Sequence, residues 1–199
     1  LKLISREDLR KITKIPAVYP YYVDTLEKLR TKAIFSLYLN TGMRKMEVLE
    51  IKMMNVKLEE RVIFIEKTKT RSCRNVIIND ELYESIEEYC HYIKENKIKS
   101  EYLFFNSDLK LPMSDGALRH IKEKIESFGC RRFKIKKFTL HMFRHSYISY
   151  GIADSVPLPY LMNQVGHTQI TTTQGYTHRP QKEMMQSLSH YSPATGQKL

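Results

Sequence analysis

The hydrophobic pattern of this chain is helical except around one stretch, and that local change of period limits the folds open to it. From Tyr21 to about Leu39, apolar residues fall at Tyr22, Leu26, Leu29, Ala33 and Leu37, the three-to-four spacing of a buried helical face. The same spacing returns at Leu82, Ile86, Tyr89 and Ile93, and again at Leu118, Ile121 and Ile125. Between them, Arg61-Val62-Ile63-Phe64-Ile65 and Asn75-Val76-Ile77-Ile78 are β-branched runs. They are joined by the polar tip Lys67-Thr68-Lys69-Thr70-Arg71-Ser72, which predicts a β-hairpin. The fold class that follows is mainly α with a small antiparallel β-sheet (α+β).

Start and stop signals divide the rest of the chain. Ser5, followed by Glu7 and Asp8, caps a short helix to about Lys14, and Asn40-Thr41-Gly42 stops the second helix. A short helix is expected from Lys45 to Lys52, and Tyr102-Leu103-Phe104-Phe105 is a candidate third strand. Asp80 caps a helix to about Glu95, and Ser114-Asp115 open one that ends near Gly129, read as its C-cap. Further helices are expected over His141 to Tyr150, from Pro157 and Pro159 through Met162, and at Met184, Met185 and Leu188. A loose tail, Ser192 to Gly196, follows. With 199 residues, 42% of them hydrophobic, one full-sized core is the default.

Lys and Arg number 33 against 22 Asp and Glu, so the formal net charge is +11, and Coulomb attraction with counterion release favours a polyanionic partner such as nucleic acid. The longest apolar stretches, such as Ile34 to Leu39, are too short to cross a bilayer, and no signal peptide or lipidation motif is visible, so the chain reads as soluble. Cys73, Cys90 and Cys130 fit neither a disulfide framework nor a C-x-x-C metal pattern, which suggests a reducing cytoplasm. The chain opens on Leu1 rather than Met, as an excised domain of something longer would.

Three short motifs carry chemistry. Thr41-Gly42-Met43-Arg44-Lys45-Met46-Glu47 sets an arginine at a helix start, where backbone N–H groups and a guanidinium can receive a phosphate; alone, it also fits an ordinary C-cap glycine and a solvated arginine. His141-Met142-Phe143-Arg144 puts a proton-transfer group and a second phosphate fork on one helical face; alone, it equally fits a helix with a partly buried histidine and a surface arginine. His141 and His145 have the i, i+4 spacing of a zinc site, but no intervening Glu or third ligand supports one, so no metal is assigned. Gly166-His167 is followed by Tyr176 within Thr168-Gln169-Ile170-Thr171-Thr172-Thr173-Gln174-Gly175-Tyr176.

The order of these pieces, with a lysine on the hairpin, resembles the catalytic domain of the tyrosine recombinases, or phage-type integrases, from Ile4 to His178. The resemblance implies DNA strand cleavage and rejoining through a 3′-phosphotyrosine, without metal or other cofactor. Tyr176 would be the nucleophile, Arg44 and Arg144 the phosphate clamps, His141 the acid/base assistant and His167 a donor to a phosphate oxygen. The hairpin lysine that protonates the leaving 5′-oxygen would be Lys69, counting back from Arg74, or Lys67. Glu47 matches an acidic position that supports the site, or is a plain surface carboxylate. These residue types suit the reaction, because a metal-free phosphoryl transition state needs fixed cations and a neutral tyrosine needs help to ionise.

Two positions depart from the family pattern. Phe143 stands where leucine is common, and Gly175 precedes the nucleophile. The resemblance divides the chain into a catalytic domain over 1–178 and a C-terminal helix and tail over 179–199, with an N-terminal core-binding domain outside this chain. The last helix either docks on a neighbouring protomer through Met184, Met185 and Leu188 or packs on its own domain. The implied partners are double-stranded DNA, a tetramer of the chain on paired sites, and accessory DNA-bending or directionality proteins. Integration or excision of a mobile element or phage is the leading reading. The alternatives are chromosome-dimer resolution, a non-catalytic DNA-binding regulator with the same fold, and a type IB topoisomerase-like relaxing activity.

Overall fold

In the computed structural model, which describes residues 2–66, 73–166 and 181–197, Ser5 accepts the Asp8 N–H at 3.1 Å and opens helix α1 (Arg6–Val18). The helix passes the expected stop at Lys14 because Ile15 extends the buried face of Leu9 and Ile12. Helix α2 (Thr25–Thr41) starts at the Asp24 cap and is buried on nearly every side from Ala33 onward, as the central helix of the core must be. It packs against α1, against α4 (Asp80–Glu95) and against α6 (Leu140–Ala153).

The hairpin forms where the β-branched runs predict it, as β2 (Val62–Ile65) and β3 (Arg74–Ile77), with Val62 opposite Ile77 and Ile65 opposite Arg74. The third strand is not Tyr102–Phe105. It is β1 (Val56–Lys57), which pairs antiparallel with β2 to give the order β1-β2-β3. Leu103, Phe104 and Phe105 are all buried, with Tyr89 stacked on Phe104 at 5.6 Å, so this segment serves the core as a continuous apolar run. Its backbone accordingly makes isolated bridges, Lys52 to Tyr102 and Phe105 to Pro112.

Other boundaries also shift for local reasons. The helix α3 (Lys45–Leu49) stops short of Lys52 and gives way to a single 3-10 turn, Met53–Asn55. Asn79, not Asp80, caps α4 by accepting the Leu82 N–H at 2.9 Å. Helix α5 (Asp115–Phe133) runs through Gly129 and ends at Lys134, which takes the left-handed conformation. Gly129 is a packing position rather than a cap, since a Cβ there would meet Ile135 at 2.5 Å and Ile15 at 2.7 Å.

A second, smaller core joins the sheet to the C-terminal half: Val62 and Ile77 meet Tyr147, Leu161, Val165, Leu188 and Tyr191. Here lie α7 (Leu158–Val165) and α8 (Gln181–Ser189), with Met184 and Met185 partly buried against it. The expected loose tail is instead a tight hairpin of β4 (Tyr191–Ser192) and β5 (Gly196–Gln197). Its carbonyls meet donors that a free tail would leave to water: Asn79 donates to Tyr191 O at 2.7 Å and Arg10 to Ala194 O at 2.7 Å. Tyr191 is fully buried and its hydroxyl donates to Tyr147 O at 2.9 Å. No helix among the described residues is long and apolar enough to cross a membrane.

The tail is therefore part of the core. Tyr191→Ala is expected to lower unfolding free energy by about 3–5 kcal/mol and Tyr191→Phe by about 1 kcal/mol, as read by urea denaturation. Equal, near-zero effects of the two would show a tail that contributes nothing.

Candidate active site

The T-G-x-R segment turns because Gly42 adopts φ +60°, closing α2 with its N–H on Tyr38 O at 3.3 Å. The turn is also crowded: a Cβ on Gly42 would sit 3.0 Å from Val165 and 3.1 Å from Tyr147, so glycine lets the end of α2 lie against α6 and α7. Two residues on, Arg44 is extended and stands at the N-terminus of α3. Glu47, one turn inside, accepts the Arg44 backbone N–H at 2.9 Å.

Arg44 and Arg144 come together at the C-terminal end of α7. Arg44 Nη1 donates to Gly166 O at 2.7 Å and to Val165 O at 3.4 Å. Arg144, 4% exposed on α6, uses Nη1 to reach the same Val165 oxygen, and Gly42 O at 2.9 Å. The carbonyls that end a helix carry its negative partial charge, and they draw both guanidiniums to one place. Two planar cations fixed at one place are chemically suited to a phosphate.

Glu47 is buried, not a surface carboxylate. Its oxygens take a bidentate pair from Arg74 at 3.1 and 3.0 Å, and Arg44 Nη1 lies 3.5 Å away. Burial pushes the Glu47 carboxyl up, but the Arg74 hydrogen bonds and charge, with the Arg44 N–H and charge, outweigh it and hold the group below its ordinary value.

Sequence reasoning used Arg74 only to count back to the hairpin lysine. A charged residue two positions before the buried Val76 was the signal that it points inward. The Arg74 Nε also donates to Gln164 O at 3.4 Å. Gln164 was missed entirely. Its side-chain amide donates to Ile77 O and accepts the Ile77 N–H, both at 2.8 Å, which fastens α7 to the open edge of β3. Gly166 follows at φ +69°, with its α-carbon so close to Arg74 that a Cβ would lie 2.5 Å from Cζ.

His141 is exposed on the first turn of α6, one turn before Arg144. Its ring meets that of His145 edge-on at 4.4 Å. Burial, then the charges of His141 and Arg144, hold the His145 imidazole below its ordinary value. Among the described residues, no three His, Cys, Asp or Glu side chains gather as a metal-ligand set. Lys67, Lys69, His167 and Tyr176 lie outside the described residues.

Because the Glu47 value is lower in the folded chain than its ordinary 4.5, the carboxylate contributes stability that is complete above pH 4.5 and lost as pH falls through the folded value. Glu47→Gln should therefore destabilise most at neutral pH, with the gap to the parent narrowing below about pH 4.5, as followed by thermal unfolding. A gap independent of pH would show that the charge contributes nothing.

Comparison with known proteins agrees with this geometry. The model of the Phage integrase family matches residues 4–183. A tyrosine recombinase of Agathobacter rectalis is 30% identical over 150 residues, covering 75% of this chain and 48% of the relative. Tyrosine recombinase XerC of Roseiflexus sp. is 28% identical over 177 residues, covering 81% and 55%. This chain thus spans about half the length of these relatives. XerA recombinase superposes with TM-score 0.68 at 21% identity over 94% of this chain and 63% of its own. XerH bound to its difH substrate superposes with TM-score 0.69 at 23% identity over 92% and 52%, which establishes the shared fold. With nine-tenths of its length matched by the family model and its two arginines gathered at one helix end, the chain belongs to the phage integrase family of tyrosine recombinases.

Proposed function

We propose that this chain cuts and rejoins DNA at specific sites through a covalent tyrosine–phosphate intermediate. The observation that carries the reading is the meeting of Arg44 and Arg144 at the Val165 and Gly166 carbonyls, immediately before His167 in the chain. Two guanidiniums held this way suit the nonbridging oxygens of one phosphodiester, where charge accumulates in the transition state. The Tyr176 oxygen would attack phosphorus, forming the Tyr–O–P bond as the P–O5′ bond breaks. His141 assists removal of the phenolic proton and His167 donates to a phosphate oxygen. Lys69, or Lys67, gives a proton to the departing 5′-oxygen. Attack by a 5′-hydroxyl of a partner strand reverses these steps and releases the tyrosine. Glu47 supports Arg44 without touching DNA.

The substrate in this reading is double-stranded DNA, consistent with the +11 charge, and the setting is the cytoplasm. The physiological reaction is integration or excision of a mobile element or phage, carried out by four copies on paired sites with accessory DNA-bending or directionality proteins. Solved structures of the same fold include the Tn1549 transposon integrase in complex with DNA and the integrase of mycobacterium phage Brujita, alongside the XerA and XerH recombinases, so chromosome-dimer resolution stands as the second reading. The helix and tail over 179–199 would be the segment available for exchange between protomers.

Incubated with a nicked suicide duplex carrying its site, the protein should form a denaturant-resistant DNA adduct that Tyr176→Phe abolishes. Arg44→Ala or Arg144→Ala should slow adduct formation by about 10²–10³-fold while salt-sensitive DNA binding persists. Binding without any adduct, across substrates cleaved by related enzymes, would instead identify a non-catalytic regulator.

A further inference from the structure

Arg74 is a charged side chain with 6% exposure, and from β3 it touches both α3 and α7, the two elements that bear on the arginine pair. It is the first residue of β3, opposite Ile65 at the end of β2, so it closes the described part of the hairpin. In the chain, Lys67 and Lys69 fall between β2 and β3. Its guanidinium grips both oxygens of Glu47, bonds the Gln164 carbonyl, and lies against the bare α-carbon of Gly166, the residue before His167.

The contest over Glu47 Oε1 gives this arrangement its consequence. Arg74 Nη1 is 3.1 Å from that oxygen and Arg44 Nη1 is 3.5 Å from it. A buried carboxylate demands a close cation, because water cannot solvate it. Arg74 supplies such a cation from the hairpin side, and Arg44 keeps its 2.7 Å bond to Gly166 O, turned toward the place where Arg144 also points. Stripped of Arg74, Glu47 would draw the Arg44 guanidinium inward.

We propose that Arg74 is a positioning residue of the DNA-cleaving site: by satisfying Glu47 it holds Arg44 in its phosphate-facing position and ties the base of the β2–β3 hairpin to the arginine pair. The proposal rests on the recombinase reading above. It differs from a purely structural role in a specific way. Removing the Glu47 charge restores Arg44 even when Arg74 is gone, and the defect depends on charge at the scissile phosphate.

Two measurements test it, one of which needs no DNA. Phenylglyoxal labelling, read peptide by peptide by mass spectrometry, should show Arg44 several-fold less reactive in Arg74→Met than in the parent. Its reactivity should return in the double variant Arg74→Met/Glu47→Gln, where the amide still accepts the Arg44 N–H. Adduct formation should fall by about 10²-fold in Arg74→Met, recover partly in Arg74→Lys, and recover further in the double variant. On a suicide duplex with a methylphosphonate at the scissile position, which lacks one negative oxygen, the Arg74→Met deficit should shrink. Unchanged Arg44 labelling, or an equal deficit on both duplexes, would overturn the assignment. A parent protein that forms no adduct on any duplex would defeat the recombinase reading, while the labelling still decides whether Arg74 controls Arg44.

Discussion

The C-terminal end of α7 is the point on which the site is built. Val165 and Gly166 end an eight-residue helix with carbonyls turned toward Arg44 from the end of α2 and Arg144 from α6. Two like charges brought this close repel, so something negative must sit between them. Partial charge on the peptide carbonyls at the end of α7 does this where the two guanidiniums meet, and the Glu47 carboxylate, 3.5 Å from Arg44 Nη1, adds a formal one. The helix end is held in turn by Gln164, whose amide completes the hydrogen bonding of β3. The small sheet thus fixes α7, and α7 fixes the arginines.

Beneath this pair lies a carboxylate that both Arg74 and Arg44 approach. Glu47 is taken up by Arg74 from the sheet, by the Arg44 N–H from its own helix and, at 3.5 Å, by the Arg44 guanidinium. An ion pair this deeply buried is weak support for stability, because desolvation offsets most of the attraction, but it is strong support for geometry, because any displacement leaves a charge unsolvated. That asymmetry suits a site in which the placing of a cation matters more than the strength with which it is held. It also joins three chain segments, the α2–α3 turn, β3 and α7, in one electrostatic unit.

The C-terminal hairpin belongs to the same mechanical frame. Tyr191 fills the second core beside Tyr147, whose β-carbon presses on Gly42, so the tail buttresses the turn that presents Arg44. Asn79 links the tail to α4 and, through Asn40, to the last turn of α2. Ser192 and Ala194 add bonds to Glu81 and Arg10 from the far side. A short segment with few apolar residues is held because the Tyr191, Pro193 and Ala194 carbonyls each meet a side-chain donor.

Periodicity and caps were enough to read the helices, the hairpin and the fold class, since a buried face and an unsatisfied helix end are local demands that residue spacing records. The motifs that hold Arg44 and Arg144 were likewise readable, and the structure brings these two side chains to one helix end. Spacing did not show that Tyr102–Phe105 serves the core instead of the sheet or that the tail is buried. Nor did it separate Glu47 as a core carboxylate from Glu47 as a surface one. Each of these depends on which distant segment supplies a neighbour, as Arg74 does for Glu47 and Asn79 for Tyr191. Hydrogen bonds and charge pairs across such separations leave no period in the chain, and they exist only once packing has brought both ends out of water together.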